Sequence, residues 1–349
     1  MPDAITIDEY RYEEIYPSFK AQTDEKQLTA ALNAALLRGF IARGLLGGSG
    51  QPLMVADLGC GPCDTILMYL SAIGYGPGFR IRATDFNEEY AGAAGGKAVA
   101  TLAAAQREGT IPIVDFAVAP GDSFGGNLLR LVSLPGEERR RGFDLVFASH
   151  MLYHCASEAA LRMMIADVVD NLLRDDGIFI LYHAAAVPGT FTYLRAKYGR
   201  HGAQLERSDT PAPNVADPPA SVAAYCAERG WPCLELNFVA MMHMPGLREE
   251  HWQSFRRPAV YGELAQQDPG ALDNLKRLMF VTQRAPLEFA ADSSPLGLDG
   301  YLSEARAIIE THGGELPLAE RLQVVCRPGS RRELIDGLRA ALDEAGRGH

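Results

Sequence analysis

The sequence predicts a doubly wound, Rossmann-like α/β sheet with helices on both faces. Three observations carry that expectation: an apolar run ending in a glycine loop, acid-terminated strand patterns following it in order, and helical spacing between them. Residues 55–64 read Val-Ala-Asp-Leu-Gly-Cys-Gly-Pro-Cys-Asp, a buried strand feeding a tight turn, with a helix starting near Asp64. Residues 79–86 alternate apolar and polar side chains and end at Asp85-Phe86. Residues 113–118 give a third strand, followed by Gly121-Asp122-Ser123, and residues 143–150 give a fourth, followed by Met151-Leu152-Tyr153-His154. Residues 172–181 read as a helix end, a turn and a fifth strand.

This order places chemistry at the carboxyl ends of the strands, where open α/β sheets bind ligands. Glycines at 59 and 61 let the backbone approach a nucleoside closely, and the following helix N-terminus is positively polarised. An acid at the end of the second strand is placed to accept hydrogen bonds from ribose hydroxyls. The dinucleotide fingerprint G-x-G-x-x-G needs a third glycine where Asp64 stands, which makes a nicotinamide oxidoreductase a distant alternative. Asp57-x-Gly59-x-Gly61 instead resembles motif I of class I S-adenosylmethionine-dependent methyltransferases. The resemblance implies S-adenosyl-L-methionine as cofactor, contacted by Asp57, Gly59, Gly61, Asp85, Phe86, Asp122, Ser123 and His150. It also implies that the loop at 121–123 brackets the adenine and that a closing strand at 322–326 is antiparallel.

Composition agrees with a cytoplasmic enzyme. A chain of 349 residues buries a large core, and its net charge of −11 argues against a nucleic-acid partner, which needs a concentrated basic surface. No apolar run reaches the roughly 18 residues of a membrane span, and residues 1–4 lack the basic and apolar regions of a signal peptide. Of the six cysteines, Cys60 and Cys63 form a C-x-x-C inside the glycine loop. No second such pair completes a tetrahedral metal set, so free thiols and no metal are expected.

Outside the core, residues 1–50 are expected to form an N-terminal helical lid, with helix spacing through 24–47. Residues 51–245 and 316–327 form the cofactor-binding core, with a helix at 221–228 and a sixth strand at 234–244. Residues 246–315 read as a mostly helical insertion serving as substrate wall or dimer contact, and 328–349 as a C-terminal helix.

Several short peptides resemble the histamine N-methyltransferase branch of that family. They are Tyr12-x-x-x-Tyr16, residues 23–27 (Thr-Asp-Glu-Lys-Gln), residues 150–153 (His-Met-Leu-Tyr) and residues 194–199 (Leu-Arg-Ala-Lys-Tyr-Gly). The resemblance implies that the N-terminal aromatics fold over the substrate and that Glu25 holds its cationic or imidazole nitrogen. Gln27 and His150 then lie at the methionine part of the cofactor or the substrate edge. Where the family has a tryptophan wall and a closing-strand asparagine, this chain has Arg195 and Glu320. That departure points away from histamine itself, towards a second carboxylate for a broader cation and an arginine for a substrate carboxylate.

Each residue also has a plain structural role open to it. Tyr12 and Tyr16 at i, i+4 suit a helix pinned to a core. Glu25 sits between charges, with Asp24 as a candidate helix cap. His150 suits a satisfied strand-end histidine, and Tyr182 and His183 suit packing. The function expected is methyl transfer to a nitrogen of a small cationic metabolite, with arginine or histidine favoured and a biogenic amine next. The catalytic set is Glu25, His150, Tyr12 and Tyr16; substrate is bound by Tyr12, Tyr16, Glu25, Tyr153, Arg195 and Glu320, with a homodimer as a further expectation. An O- or C-methyltransferase and a non-catalytic cofactor-binding subunit are the alternatives.

Overall fold

A computed structural model describes residues 12–42, 45–46, 50–92, 96–126, 128–132, 142–155, 157–185, 187–198, 218–257, 261–284, 289 and 297–348. The chain divides into two compact units. One comprises Met1–Glu25, Ala184–Asp209 and Val239–Ala319, the other Lys26–His183, Thr210–Phe238 and Glu320–His349. The sequence also predicts a loop over 208–220, most of which lies outside the described residues, and a helix stop at Gly47-Gly48, which lies outside them as well.

The larger unit is built on a seven-stranded mixed sheet. Its strands are β1 (Leu53–Leu58), β2 (Phe79–Asp85), β3 (Ile113–Pro120), β4 (Phe143–Ser149), β5 (Leu173–Ala184), β6 (Cys233–His243) and β7 (Glu315–Cys326). Their order is β3-β2-β1-β4-β5-β7-β6, and β7 is antiparallel, which is the Rossmann-like class expected from the sequence. Strands β5, β6 and β7 run on past the division between the units.

The central strands are apolar on both faces because helices cover both. In β1, Leu53 and Val55 face one core while Ala56 and Leu58 face the other. The same alternation runs through β4, with Leu145 and Phe147 against Val146 and Ala148, and through β5, with Ile178 and Ile180 against Phe179 and Leu181. A period of two on a sheet buried on both sides gives a continuous apolar run, as the sequence shows. Each of the buried Leu, Ile, Val and Phe side chains stabilises the fold by about 1.5–3 kcal/mol.

The parallel register sets the strand ends level. Leu58 lies opposite Thr84 on β2 and Ala148 on β4, and Ser149 lies opposite Tyr182 on β5. Two departures from the sequence expectation have local causes. The turn expected around 174–177 is taken up as an irregularity within β5, where the register shifts between Phe143 and Leu145. Gly177 permits it, since a Cβ there would come 2.5 Å from the Phe143 carbonyl. The closing strand begins at Glu315, seven residues before the expected start at Leu322. Pro317 and the charged residues Glu315, Glu320 and Arg321 disguised it, because proline and charge normally mark the end of a strand.

The smaller unit is mainly helical. Its helices include Tyr12–Lys20, Phe191–Tyr198, Glu249–Phe255, Pro269–Thr282 and Leu298–Thr311. Pro269 opens its helix in the first turn, and Asp268 caps it by accepting from the Ala271 N–H at 2.9 Å. Phe19, Phe191 and Phe280 form its aromatic centre, with Phe19 and Phe280 stacked at 4.3 Å between ring centroids.

Candidate active site

Beyond Leu58 the chain turns through three left-handed residues, Gly59 (φ 68°), Gly61 (φ 51°) and Cys63 (φ 64°). Gly59 N–H and Cys60 N–H both donate to the Thr84 carbonyl, at 2.8 and 3.0 Å. A Cβ on Gly59 would lie 2.8 Å from the Met151 Cβ, so glycine is required there by space as well as by φ. At Gly61 nothing lies within 4 Å of the point where a Cβ would stand, which leaves the backbone open to a ligand. The helix Asp64–Ile73 starts directly after this turn, its N-terminus facing the loop's carboxyl side.

Asp85 ties the loop to the end of β2. Its Oδ2 accepts from Gly61 N–H and its Oδ1 from Asn87 N–H, both at 2.8 Å. Each oxygen has a further lone pair with which to accept from a hydroxyl. The Asp85 carbonyl takes the Gly121 N–H at 2.9 Å, so the loop carrying Asp122 and Ser123 is fastened to the same point. Asp122 is exposed and accepts from Phe124 N–H at 2.8 Å, while Ser123 is buried. Phe86 is 57% exposed and meets the His154 ring edge-on, with centroids 5.5 Å apart. Burial pushes the His154 imidazole down to about 4.

Asp57 is buried in the floor of this region. Burial, and secondarily the Asp85 charge, push its carboxyl up to about 8 against the opposing pull of Lys26. A carboxyl in that state ionises more readily beside a cation, so a positively charged ligand is favoured here. A loop opened by glycine, a carboxylate with lone pairs for a diol, and an acid that rewards positive charge fit a nucleoside sulfonium such as S-adenosylmethionine.

The end of β4 carries the titratable side chains. Ser149 Oγ lies 3.2 Å from the Tyr69 hydroxyl. His150 follows with φ 53°, a left-handed backbone uncommon outside glycine, and its N–H donates to the Tyr182 carbonyl at 2.9 Å. Its Nε2 lies 3.7 Å from Oε2 of Glu320, which is 2% exposed. His183, on β5, is buried and held neutral, pushed down to about 3 by burial and then by His150 and Arg321. The Tyr182 hydroxyl donates to Asn33 Oδ1 at 3.0 Å and fixes this stretch of β5 from the other side. Since Met151 packs on Gly59, His150 is one residue from the contact that shapes the glycine loop.

The larger unit thus brings together Asp57, Gly59, Gly61, Asp85, Phe86, Asp122, Ser123, His150 and Glu320, while Gln27 is exposed on its helix. Tyr153 lies in the short helical turn Leu152–His154, and its side chain is outside the described residues. Sequence reasoning passed over the Tyr182 carbonyl and the neutral His183 as packing. A backbone acceptor and a burial-dependent charge state leave no mark in a single sequence.

The remaining candidates belong to the smaller unit. Tyr16 is half-buried against Phe19 and Phe280, at 6.0 and 5.7 Å between centroids, and the side chain of Tyr12 lies outside the described residues. Glu25 is buried at the start of its helix, where its N–H donates to Thr23 Oγ1 at 3.2 Å. Asp24 accepts from Met241 N–H at 2.7 Å. Arg195 donates to the carbonyls of Val281 and Phe280 at 3.0 Å each, and its guanidinium lies over the rings of Phe191 and Phe280. Those contacts give it a structural task at the C-terminus of the helix Pro269–Thr282.

No family model matches the chain, and comparison with curated proteins finds no match. Among solved structures the chain is similar to loganic acid methyltransferase with SAH, at 10% identity over 92% of this chain and 97% of that one, TM-score 0.47. It is also similar to a cyclopropane-fatty-acyl-phospholipid synthase-like protein from Lactobacillus casei, at 14% identity over 90% and 100%, TM-score 0.44. A third similar structure is phosphoethanolamine N-methyltransferase 2 from Haemonchus contortus in complex with S-adenosyl-L-methionine. There the identity is 12% over 85% of this chain and 52% of that one, TM-score 0.37. Likenesses at this level say nothing of substrate or of residue roles.

Proposed function

We propose that the chain is an S-adenosylmethionine-dependent N-methyltransferase acting on a small cationic metabolite, a free amino acid such as arginine or histidine before a biogenic amine. The observation that carries it is the pairing of a half-buried imidazole, His150, with a buried carboxylate, Glu320, one residue from the packing contact of the Gly59 loop. A nitrogen nucleophile has to lose one proton, and an imidazole beside a buried carboxylate can take it. Bound there, S-adenosylmethionine would supply an electrophilic methyl group from its sulfonium.

The chain's own residues do the rest. The open backbone at Gly61, the remaining lone pairs of Asp85 and the loop at Asp122-Ser123 hold and orient the nucleoside. Asp57 favours positive charge beneath it. Holding nucleophile and methyl donor at about 3–3.5 Å is worth roughly 7–11 kcal/mol of the barrier. Tyr12, Tyr16 and Glu25 belong to substrate binding in this reading, as the histamine N-methyltransferase resemblance implies, and Tyr153 joins them, in a cytoplasmic enzyme. Arg195, which also holds two helix carbonyls, is the partner of a substrate carboxylate in this reading.

The test is release of S-adenosylhomocysteine with a panel of arginine, histidine, histamine and catechol. Turnover of the nitrogen compounds is expected. Turnover of catechol alone overturns nitrogen methylation in favour of oxygen. Tight S-adenosylhomocysteine binding with no turnover of any of them points to a cofactor-binding subunit.

A further inference from the structure

We infer that Glu320 acts through His150, holding the imidazole as its Nε2–H tautomer so that the Nδ1 lone pair takes the proton released by the substrate nitrogen. The inference rests on the N-methyltransferase reading and deepens it by making Glu320 a positioning residue rather than a contact of the substrate cation.

Three features carry it. Glu320 is 2% exposed on β7, and a carboxylate at that depth requires a polar partner; His150 Nε2 stands 3.7 Å away, within ion-pair range and under one ångström of motion from a hydrogen bond. The nitrogen that faces a carboxylate keeps its proton, and the other nitrogen then presents a lone pair. The His150 backbone is fixed by its left-handed φ and by the Tyr182 carbonyl, which leaves only ring rotation to complete the contact.

The neighbours divide the work. His183, the second imidazole at this point, is buried and held neutral by that burial. The His150 side chain is 18% exposed and has the route to water that Glu320 lacks. In the step itself the substrate N–H bond breaks with its electron pair staying on nitrogen. The Nδ1 lone pair forms the new N–H bond, and the imidazolium so formed is balanced by the Glu320 carboxylate. Water then removes the proton.

The experiment has an arm that needs no substrate. In full-length protein labelled with nitrogen-15 histidine, the His150 signals are identified by their loss in His150→Asn. The Nε2–H tautomer or the imidazolium is expected in the wild type, with a shift towards Nδ1–H in Glu320→Leu. If Glu320→Leu does not fold, Glu320→Gln is read instead and a mixed tautomer is expected. An unchanged tautomer overturns the inference. Kinetically, with whichever of arginine, histidine or histamine turns over fastest, Glu320→Gln is expected to lower kcat at least tenfold with KM within twofold. A rise in KM at constant kcat makes Glu320 a substrate contact and also overturns it. A shifted tautomer in a protein that turns over no amine overturns the methyl-transfer reading, and with it the source of the proton. Brisk amine turnover with an unchanged tautomer overturns the pairing and leaves that reading standing.

Discussion

The glycine loop after β1 and the His150–Glu320 pair after β4 lie at neighbouring strand ends and are held by opposite means. The loop is set by backbone: three left-handed residues, two N–H groups on one carbonyl and one carboxylate receiving two more. The pair is set by side chains from strands 170 residues apart in the chain, brought level by the β4–β5–β7 order. Local geometry therefore holds the first region, and the whole sheet has to form before the second exists. The same contrast separates binding from chemistry in the proposed function, and mutation can test whether the two regions come apart.

The largest effect is expected at the loop. Gly59→Ala places a Cβ 2.8 Å from Met151 at a φ of 68°, so the turn has to shift. A displacement of that kind is expected to weaken S-adenosylhomocysteine binding on the order of 10²-fold, read by calorimetric titration. Unaltered affinity would show that the loop does not form the cofactor site. Asp85→Asn removes a charged acceptor of two backbone N–H groups, a loss of about 1.5–3 kcal/mol. Roughly tenfold or greater weakening of the same ligand is expected, with the protein still folded by circular dichroism.

At the second region the expected signature is the reverse. His150→Asn keeps a residue that tolerates the left-handed backbone, so the melting temperature should stay close to that of the wild type. The value of kcat is expected to fall about 10²-fold, with S-adenosylhomocysteine affinity retained. A matching loss of affinity would mean that the two regions act as one.

Asp57 gives a smaller, pH-dependent effect. Its folded-state value near 8 lies above the ordinary 3.8, so the folded chain binds more protons than the unfolded chain between about pH 4 and pH 8. Stability contributed by this group therefore falls as pH rises through that window and levels off above it. Asp57→Asn is expected to flatten that slope and to melt several degrees higher than the wild type at pH 9, measured across pH 5 to 9. Equal slopes in both proteins would place the buried charge elsewhere.

The smallest effect is expected in the helical unit. Arg195→Lys keeps the charge but loses the planar fork that meets two carbonyls and two rings. A destabilisation of about 1–2 kcal/mol is expected. A raised KM for arginine with unchanged melting would return Arg195 to the substrate.

Much of the fold was legible because it follows from local pattern. The runs at 53–58 and 143–149 are apolar on both faces, which only a strand covered on both sides requires, and Gly59 and Gly61 announce the turn between strand and helix. Asp85 was legible as a strand-end acid, though not its two backbone donors. The early start of β7 was hidden by Pro317 and by Glu320, whose burial contradicts the usual place of a carboxylate. Arg195 was read as facing a ligand, and its helix carbonyls belong to residues 85 and 86 positions away.

The amino-acid sequence by itself determined the strand succession, the glycine turn and the acids at the strand ends, since backbone conformation and a period of two act over a few residues. Only the tertiary structure decided which side chains share an environment: the neutral state of His183, the raised Asp57 carboxyl and the meeting of His150 with Glu320. Burial and electrostatics act through space, and the distances that govern them are set by sheet order rather than by position along the chain.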